Sequence, residues 1–194
     1  MAPQRIARNR LKRGIFLDRD GVINVCPVRR YISSWKEFRF VPGTLAALRT
    51  LARRGETVVV VSNQSGVGRG AVSTAELQVI TRNMMRAIRR AGGRVQAVYY
   101  CPHRPEESCR CRKPKIGMLK AASRRFSIDL ARSFVIGDHE TDVRMGRAAG
   151  CRTVLVLSGR CDRAAAKRFS VSADRIAGNL GEAVRWILQR KGSR

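Results

Sequence analysis

The stretch Gly14-Ile-Phe-Leu-Asp-Arg-Asp-Gly21 decides how the rest of this sequence is interpreted. Its first four residues form a short apolar run, which is typical of a β-strand buried on both faces. Two carboxylates, Asp18 and Asp20, follow at once, and Gly21 is suited to a turn. A buried strand that runs directly into paired carboxylates indicates an α/β protein with its chemistry at the strand end.

Apolar runs of strand length alternate with amphipathic segments of helix length along the whole chain. We predict five strands, over residues 14–18, 57–63, 94–100, 133–138 and 152–157. Five helices are predicted between and after them, over residues 42–54, 73–90, 116–126, 141–149 and 179–189. This alternation predicts a doubly wound parallel sheet with helices on both faces. We expect one domain over residues 14–192, preceded by a basic arm over residues 1–13.

The chain is strongly basic, with 40 Lys and Arg against 14 Asp and Glu in 194 residues and a formal net charge of +26. Such an excess predicts attraction to phosphate-bearing partners without saying which. The basic residues are spread over nearly every segment, so a general bias toward arginine and a selected basic surface both remain open. The sequence has no apolar run near 18 residues and no signal peptide, so we expect a cytoplasmic protein without a membrane partner.

Polar residues end three of the predicted strands. Asp18 and Asp20 follow the first, Ser62 ends the second, and Asp138 ends the fourth, with Asp142 one helical turn further on. Because ligands bind beyond the carboxyl ends of strands in an open parallel sheet, we expect these side chains to converge on one crevice. Gathered carboxylates repel one another unless a cation neutralises them, and hard oxygen ligands favour Mg²⁺, which bridges to substrate phosphate.

A magnesium site of this kind predicts phosphoryl transfer. One carboxylate would act as nucleophile and form an aspartyl-phosphate, while a second would serve as general acid and then as general base. The alternative is that aspartates at strand ends only cap loops and helices. Their joint placement at three strand ends favours the catalytic interpretation.

Residues 101–111 carry three cysteines and one of the two histidines of the chain. Two closely spaced ligand pairs on a short loop predict a tetrahedral Cys₃His zinc site, which would be structural because no coordination position stays open. The expected ligands are Cys101, His103, Cys109 and Cys111. Thiols without metal and a nucleic-acid zinc finger are the alternatives, but no helix-length segment lies between the pairs to enter a groove.

Four stretches, in this order, resemble the signature motifs of the haloacid dehalogenase (HAD) superfamily of phosphohydrolases. They are FLDRDGVIN (16–24), VVVVSNQSGVGRG (58–70), CRKPKIGML (111–119) and VIGDHETDV (135–143). The SNQSG segment and the cysteine-histidine clip are similar to the branch that contains D-glycero-D-manno-heptose 1,7-bisphosphate 7-phosphatase and histidinol-phosphate phosphatase. The resemblance covers most of the chain and implies a Rossmann-like HAD fold with a zinc-clipped loop. The interval between Asp20 and Ser62 is too short for a large cap domain.

The resemblance implies a role for each matching residue. Asp18 would be the nucleophile and Asp20 the general acid and base. Asp18, Asp138 and the backbone carbonyl of Asp20 would bind Mg²⁺, while Ser62 and Lys113 would hold the transferring phosphoryl group. Further substrate contacts are expected from four residues: Tyr31, Asn63, Gln64 and Arg112. Because Arg112 and Lys113 directly follow a zinc ligand, we expect the clip to hold both cations toward the carboxylates.

Two departures from the family pattern leave the substrate open. The family commonly shows Asp-His-Gly-Tyr after the first motif, whereas this chain has Val25-Cys-Pro-Val-Arg-Arg-Tyr31. His139 also stands where the family commonly has lysine. The Asp18 and Asp20 pair is untouched, so the reaction type is better determined than the substrate.

Three hypotheses follow for the substrate. The first is removal of the 7-phosphate of heptose 1,7-bisphosphate in nucleotide-activated heptose synthesis, since a doubly anionic sugar suits the neighbouring cations. The second is a histidinol-phosphate phosphatase. The third is a nucleic-acid 3′-phosphatase or a nucleic-acid-binding zinc protein, which the lack of interleaved basic and aromatic stretches disfavours. We therefore expect a small phosphorylated sugar as the substrate. The sequence does not determine the oligomeric state, for which a monomer is favoured.

Overall fold

The computed structural model describes residues 11–26, 31–159 and 163–190. Within these residues there are six strands: β1 Lys12–Leu17, β2 Thr57–Asn63, β3 Ala97–Cys101, β4 Ile128–Gly137, β5 Arg152–Val156 and β6 Arg175–Ala177. They form one sheet in the order β3-β2-β1-β4-β5-β6, and all five neighbouring pairs are parallel. The predicted doubly wound parallel sheet is therefore confirmed.

In the described part of the chain, seven α-helices connect or follow the strands: α1 Thr44–Arg53, α2 Ser65–Gly68, α3 Thr74–Arg90, α4 Gly117–Phe126, α5 Glu140–Ala148, α6 Arg163–Lys167 and α7 Leu180–Gln189. Two 3₁₀ turns span Trp35–Glu37 and Pro105–Glu107. Apolar residues of α1, α3 and α7 share one buried cluster, and those of α4 and α5 share another. The helices thus cover both faces of the sheet. None of the described helices is long and apolar enough to cross a membrane.

The central strand explains why two cores form. Ile15 and Leu17 of β1 lie in the cluster with α1, α3 and α7, whereas Phe16 lies in the cluster with α4 and α5. Successive side chains of a strand point to opposite faces of the sheet. Because helices cover both faces, all three residues are fully buried. A continuous apolar run is therefore what a central strand covered on both sides requires.

Several boundaries differ from the prediction, and the pairings give the reasons. The third strand begins at Ala97 rather than at residue 94, because the Val58 amide donates to the side-chain Oε1 of Gln96 instead of to a backbone carbonyl. The three-residue β6 was not predicted, since a strand so short leaves no periodic pattern. Lys12 and Arg13, assigned to the basic arm, open β1, and the rest of that arm lies mostly outside the described residues.

This topology places the polar strand ends side by side. β1 lies between β2 and β4, so the chain turns to opposite sides of β1 after its two neighbours. Such a switch point leaves a crevice beyond the carboxyl ends of the strands. Among the described residues, only a 3₁₀ turn and α1 lie between β1 and β2, so no cap domain occupies that interval.

Candidate active site

A cavity of about 820 Å³ opens beyond the carboxyl ends of β1, β2 and β4. All nine residues that the sequence assigned to catalysis, magnesium or substrate line it: Asp18, Asp20, Tyr31, Ser62, Asn63, Gln64, Arg112, Lys113 and Asp138. Volumes of this order hold small organic ligands. The topology therefore gathers one predicted set of residues from widely separated segments.

The floor of the cavity is built around the ammonium group of Lys113. Its Nζ lies 2.9 Å from Asp18 Oδ1 and 2.6 Å from Asp142 Oδ1, with all three residues buried. Burial by itself would lower the pKa of Lys113, but the charges of Asp142 and Asp18 outweigh it and raise that pKa. Lys113 is therefore a permanent cation beside Asp18.

Three carboxylates stand around this single cation. Asp18, Asp138 and Asp142 each place an oxygen within 4.8 Å of the others, and Oδ2 of Asp142 is buried without a hydrogen-bond partner. Burial raises the pKa of Asp142 and is the largest influence on it. The charge of Lys113 acts in the opposite direction but is smaller, so the pKa of Asp142 is raised to about 6. The cluster carries more negative charge than Lys113 neutralises, and its hard oxygens fit a divalent cation such as Mg²⁺.

Asp142 was not among the predicted metal ligands. The signal was present in the sequence, because Asp138 and Asp142 are four residues apart across the start of a helix. Such spacing places two side chains on the same side of the first turn. Asp138 itself fits closely, since a side chain on Gly21 or on Gly159 would collide with its carboxylate. Gly21 also has φ of +85°, a conformation that favours glycine.

The carboxylate of Asp20 is held by three neighbouring side chains. Arg19 donates from Nη2 to both oxygens at 2.9 and 3.0 Å, Asn24 donates to Oδ1 at 2.9 Å, and Gln64 donates to Oδ2 at 2.7 Å. Burial would raise the pKa of Asp20, but the charge of Arg19 and the hydrogen bonds from Asn24 and Gln64 lower it overall. Asp20 is thus positioned and ionised in this structure.

Arg19 is a functional candidate that the sequence analysis did not identify. Its side chain is 1% exposed, although arginine is rarely fully buried without a partner. Behind it, the guanidinium carbon lies 5.7 Å from the centre of the Tyr100 ring, and the Tyr100 hydroxyl is 2.9 Å from Thr81 Oγ1. The guanidinium is therefore packed from one side and directed at Asp20 on the other. The sequence gives no sign that Arg19 is functional, because the chain contains many arginines and nothing in the spacing of this one sets it apart.

Asn63 and Gln64, both predicted to contact substrate, also make hydrogen bonds within the protein. Asn63 Oδ1 accepts from the Lys113 amide at 3.0 Å, and its Nδ2 donates to the Lys113 carbonyl at 3.3 Å. Gln64 Nε2 bridges Asp20 to the Ser62 hydroxyl, 3.2 Å away. Both residues line the cavity, but their described contacts orient Lys113 and Asp20. Ser62 is itself buried at the end of β2.

The four expected zinc ligands form a compact cluster. The Cys109 sulfur is 3.5 Å from those of Cys101 and Cys111, and His103 Nδ1 is 3.6 Å from Cys101 and 3.3 Å from Cys111. Tetrahedral Zn²⁺ with ordinary bond lengths separates such ligands by roughly 3.5–3.8 Å. The geometry therefore fits a zinc ion. Cys101 closes β3 rather than lying in the loop, so the cluster is anchored to the sheet.

The zinc cluster lies directly before the cationic wall of the cavity. Arg112 Nη1 donates to the His103 carbonyl at 3.2 Å, and Lys115 Nζ donates to the carbonyls of Ser108 and Cys109. The loop thus holds Arg112 through its own backbone. This agrees with the expectation that the clip directs Arg112 and Lys113 toward the carboxylates.

Two further residues enclose the opening of the cavity. Tyr31 packs its ring against Gly66 of α2, where an added Cβ would lie 2.8 Å from Tyr31 Cγ. His139 also lines the cavity and is the N-cap residue of α5. Of the cysteines outside the cluster, Cys26 is half-buried and lines the cavity, whereas Cys151 is buried. Cys161 lies outside the described residues.

Comparison with known proteins agrees with this arrangement. The HAD-hydrolase-like family model matches residues 110–183. The D-glycero-beta-D-manno-heptose-1,7-bisphosphate 7-phosphatase of Bordetella bronchiseptica is 37% identical over 175 residues, which cover 90% of this chain and 97% of the relative. The chain belongs to this family of HAD-like phosphatases. The Pseudomonas putida enzyme of the same name is 39% identical over 149 residues, covering 77% of this chain and 85% of the relative.

A solved structure of the family has the same fold. The D,D-heptose 1,7-bisphosphate phosphatase of B. bronchiseptica, complexed with magnesium and phosphate, superposes with a TM-score of 0.86 at 36% identity. The match covers 92% of this chain and 99% of that one. The present HAD-like phosphatase is therefore a phosphoric monoester hydrolase with the Rossmann-like architecture of its family.

Proposed function

We propose that this HAD-like phosphatase removes the 7-phosphate of D-glycero-D-manno-heptose 1,7-bisphosphate through an aspartyl-phosphate on Asp18. The observation that carries the proposal is the placement of Asp18, whose carboxylate lies 2.9 Å from Lys113 Nζ at the base of the cavity. A nucleophilic carboxylate beside a permanent cation suits attack on a phosphoryl group, since the cation offsets the charge of the phosphate.

In the first step, an oxygen of Asp18 attacks phosphorus and the bond from phosphorus to the sugar oxygen breaks. Asp18 Oδ1 already accepts from the Arg19 amide at 2.7 Å and contacts Lys113, so Oδ2 is the better candidate for the attacking atom. Asp20 would donate a proton to the departing sugar oxygen. The dianionic phosphate favours the protonated form of Asp20, because nearby negative charge raises the pKa of a carboxyl group.

In the second step, water attacks the phosphorus of the aspartyl-phosphate and the bond to Asp18 breaks. Asp20 would take a proton from that water, and inorganic phosphate leaves. The hydrogen bonds from Arg19, Asn24 and Gln64 support this step, since they hold Asp20 in the ionised form that a base needs. Ser62 and Lys113 would bind the phosphoryl oxygens in both steps.

Magnesium would be held by Asp18, Asp138 and the carbonyl of Asp20, with Asp142 beside them. When bound, Mg²⁺ supplies positive charge that orients the phosphate and stabilises its transition state. The unpaired Oδ2 of Asp142 and the excess of carboxylates over cations support this placement. Zn²⁺ would occupy the cysteine-histidine cluster and hold the loop that carries Arg112 and Lys113.

The charge of the cavity wall favours a bisphosphate over a cationic substrate. Arg112 lines the cavity without an acidic partner among the described contacts, so its charge is available to a second phosphate. Histidinol phosphate would instead bring an ammonium group near Arg112 and Lys113, and like charges in a crevice oppose binding. The relatives of the same family also carry the heptose bisphosphate in their names.

The test is phosphate release with Mg²⁺ from heptose 1,7-bisphosphate, histidinol phosphate and a 3′-phosphorylated oligonucleotide, measured side by side. We expect kcat/KM for the bisphosphate to exceed the others by at least a hundredfold. Asp18→Asn should abolish phosphate release, and it should also abolish the acid-stable radiolabel expected of a trapped aspartyl-phosphate. The control Asp129→Asn, at the start of β4 and away from the cavity, should retain both. Turnover by Asp18→Asn would reject the mechanism, and preference for another substrate would reject the assignment.

A further inference from the structure

The edge of the sheet opposite the active site carries a concentration of arginine. We call it the basal edge: the starts of the six strands together with the ends of the helices that lead into them. Because all strands are parallel and the connecting helices run back along them, these ends lie together, away from the cavity. Three helices end here in pairs of exposed arginines: Arg53 and Arg54 at α1, Arg89 and Arg90 at α3, and Arg124 and Arg125 at α4.

The strand starts add further exposed cations. Lys12, Arg152 and Arg175 are the first residues of β1, β5 and β6. Arg94 lies shortly before β3 and is also exposed, as is Arg190 at the end of α7. The basal edge is therefore basic across the whole width of the sheet, which six strands make roughly 24 Å wide.

Negative charge at this edge is sparse and largely neutralised. Among the described residues that flank the strand starts, the acidic ones are Glu56, Asp129 and Asp174. Glu56 is buried and pairs with Arg13 at 2.5 Å, and Asp174 pairs with Arg147 at 3.3 Å. Many of the described acidic residues lie instead at the catalytic edge. Asp18, Asp20 and Asp138 line the cavity there with Asp142 beside them, and helices α3, α5 and α7 each carry a glutamate in the first turn.

Helix stabilisation accounts for part of this distribution only. A basic residue in the last turn interacts favourably with the helix dipole by about 0.3–1 kcal/mol. The cations at strand starts and in turns, such as Lys12, Arg94 and Arg152, gain nothing from a dipole. Adjacent strands are closer than the Debye length of about 8 Å at physiological salt, so these charges repel one another. Binding an anionic partner would neutralise these charges and relieve their mutual repulsion.

We infer that the basal edge binds the phosphate backbone of nucleic acid without reading its sequence. Nearly all of its cations are arginines, whose planar guanidinium matches phosphate in two hydrogen bonds. Duplex DNA carries one negative charge per roughly 1.7 Å of axis, both strands counted, so a duplex segment as long as the edge is wide carries about fourteen phosphates, of which those on one side face the protein. Large exposed apolar residues are few here, with Leu11 and Ile176 the described examples, which favours a nucleic acid over insertion into a lipid surface.

This binding is separate from catalysis. The strands are about 20 Å long, so a nucleic acid on the basal edge does not reach Asp18. The arginines thus do not make this protein a phosphatase of nucleic-acid ends. The inference does not depend on the proposed substrate, because the binding measurement needs no turnover.

The test is fluorescence anisotropy with a labelled 20-base-pair duplex of arbitrary sequence across a KCl series. The basal variant replaces four arginines with glutamine: Arg53, Arg54, Arg89 and Arg90. The matched control removes the same charge from exposed arginines within helices: Arg82, Arg86, Arg144 and Arg185. At 100 mM KCl we expect the basal variant to bind at least tenfold more weakly, with its salt slope reduced by about 3 to 4 because each phosphate contact contributes about 0.9.

The control variant should bind within about twofold of the parent protein. Equal weakening in both variants would mean that net charge alone governs binding, and it would overturn the inference. So would the absence of binding by the parent protein at 100 mM KCl, or binding to phosphatidylserine vesicles but not to the duplex. The double variant Arg53→Gln/Arg54→Gln provides a milder change, for which about half the loss of slope is expected. Phosphate release should be unchanged in all variants.

Discussion

Lys113 Nζ lies 2.6 Å from Oδ1 of Asp142, and both side chains are almost completely withdrawn from solvent. The two residues come from segments that are 29 positions apart, one directly after the zinc loop and one in the first turn of α5. Their contact joins the cationic wall of the cavity to its carboxylate cluster. The stability of the protein and the arrangement of its active site therefore depend on the same ion pairs.

Replacing Lys113 by methionine is expected to reduce the free energy of unfolding by about 3 kcal/mol without Mg²⁺, because it leaves Asp18, Asp138 and Asp142 uncompensated in a buried site. Mg²⁺ should restore part of the loss by supplying the missing charge. Urea unfolding with and without Mg²⁺ measures both effects. Lys120→Met, on the exposed face of α4, is the control and should change stability by less than about 0.5 kcal/mol. Equal losses in the two variants would contradict the argument.

Arg19→Lys is expected to impair Asp20 rather than Asp18, because lysine loses the guanidinium contacts to both Asp20 oxygens. Sugar phosphates need a proton on the leaving oxygen, whereas p-nitrophenyl phosphate releases a stable anion. We expect kcat for the sugar phosphate to fall roughly tenfold to hundredfold, and kcat for p-nitrophenyl phosphate to fall much less.

Thr81→Val is the control for that change, since it keeps Tyr100 beneath the guanidinium and removes only a hydroxyl that contacts Tyr100 and the Leu77 carbonyl. It should leave both rates near those of the parent protein. If Arg19→Lys slowed both substrates alike, its effect would be structural, and the role of Arg19 in holding Asp20 would be excluded.

Cys109→Ala is expected to lower the bound zinc from about one ion per chain, because a Cys₃His site that loses a thiolate binds Zn²⁺ weakly. The freed loop then holds Arg112 less firmly, so KM for the bisphosphate should rise more than KM for p-nitrophenyl phosphate. Elemental analysis and steady-state kinetics measure the two effects. Glu106→Gln lies in the same loop between the ligand pairs and should change neither. If a variant without bound zinc kept the parent KM for the bisphosphate, the zinc cluster would have no role in substrate binding, and the prediction would be wrong.

Gly66→Ala is expected to displace Tyr31, because the new Cβ would lie 2.8 Å from Tyr31 Cγ. If the Tyr31 ring forms part of the sugar-binding wall, KM for the bisphosphate should rise severalfold while kcat changes little. Tyr31→Ala should raise KM in the same way, and combining the two changes should add little further. Additive effects would show that Gly66 acts independently of Tyr31.

Much of the site could be predicted because its parts are local in sequence. The apolar run before Asp18 and Asp20 predicts a buried strand. Because ligands bind beyond the carboxyl ends of parallel strands, the same stretch also predicts that these two carboxylates lie in the active site. The zinc ligands lie within eleven residues, so their spacing alone indicates a metal site. Asp142 was also readable from its spacing to Asp138, but a single four-residue interval does not distinguish a ligand from a helix-capping carboxylate.

The contacts between distant segments were decided by tertiary structure. The sequence determined the parallel sheet, the three polar strand ends and the cluster of thiols, because strand periodicity and ligand spacing are local properties. It did not distinguish Arg19 from other arginines, or show that Lys113 bridges Asp18 and Asp142, because each depends on burial and on partners brought together by the strand order. The basal edge is of the same kind: its arginines are scattered along the chain, and only the parallel topology gathers them on one side of the sheet.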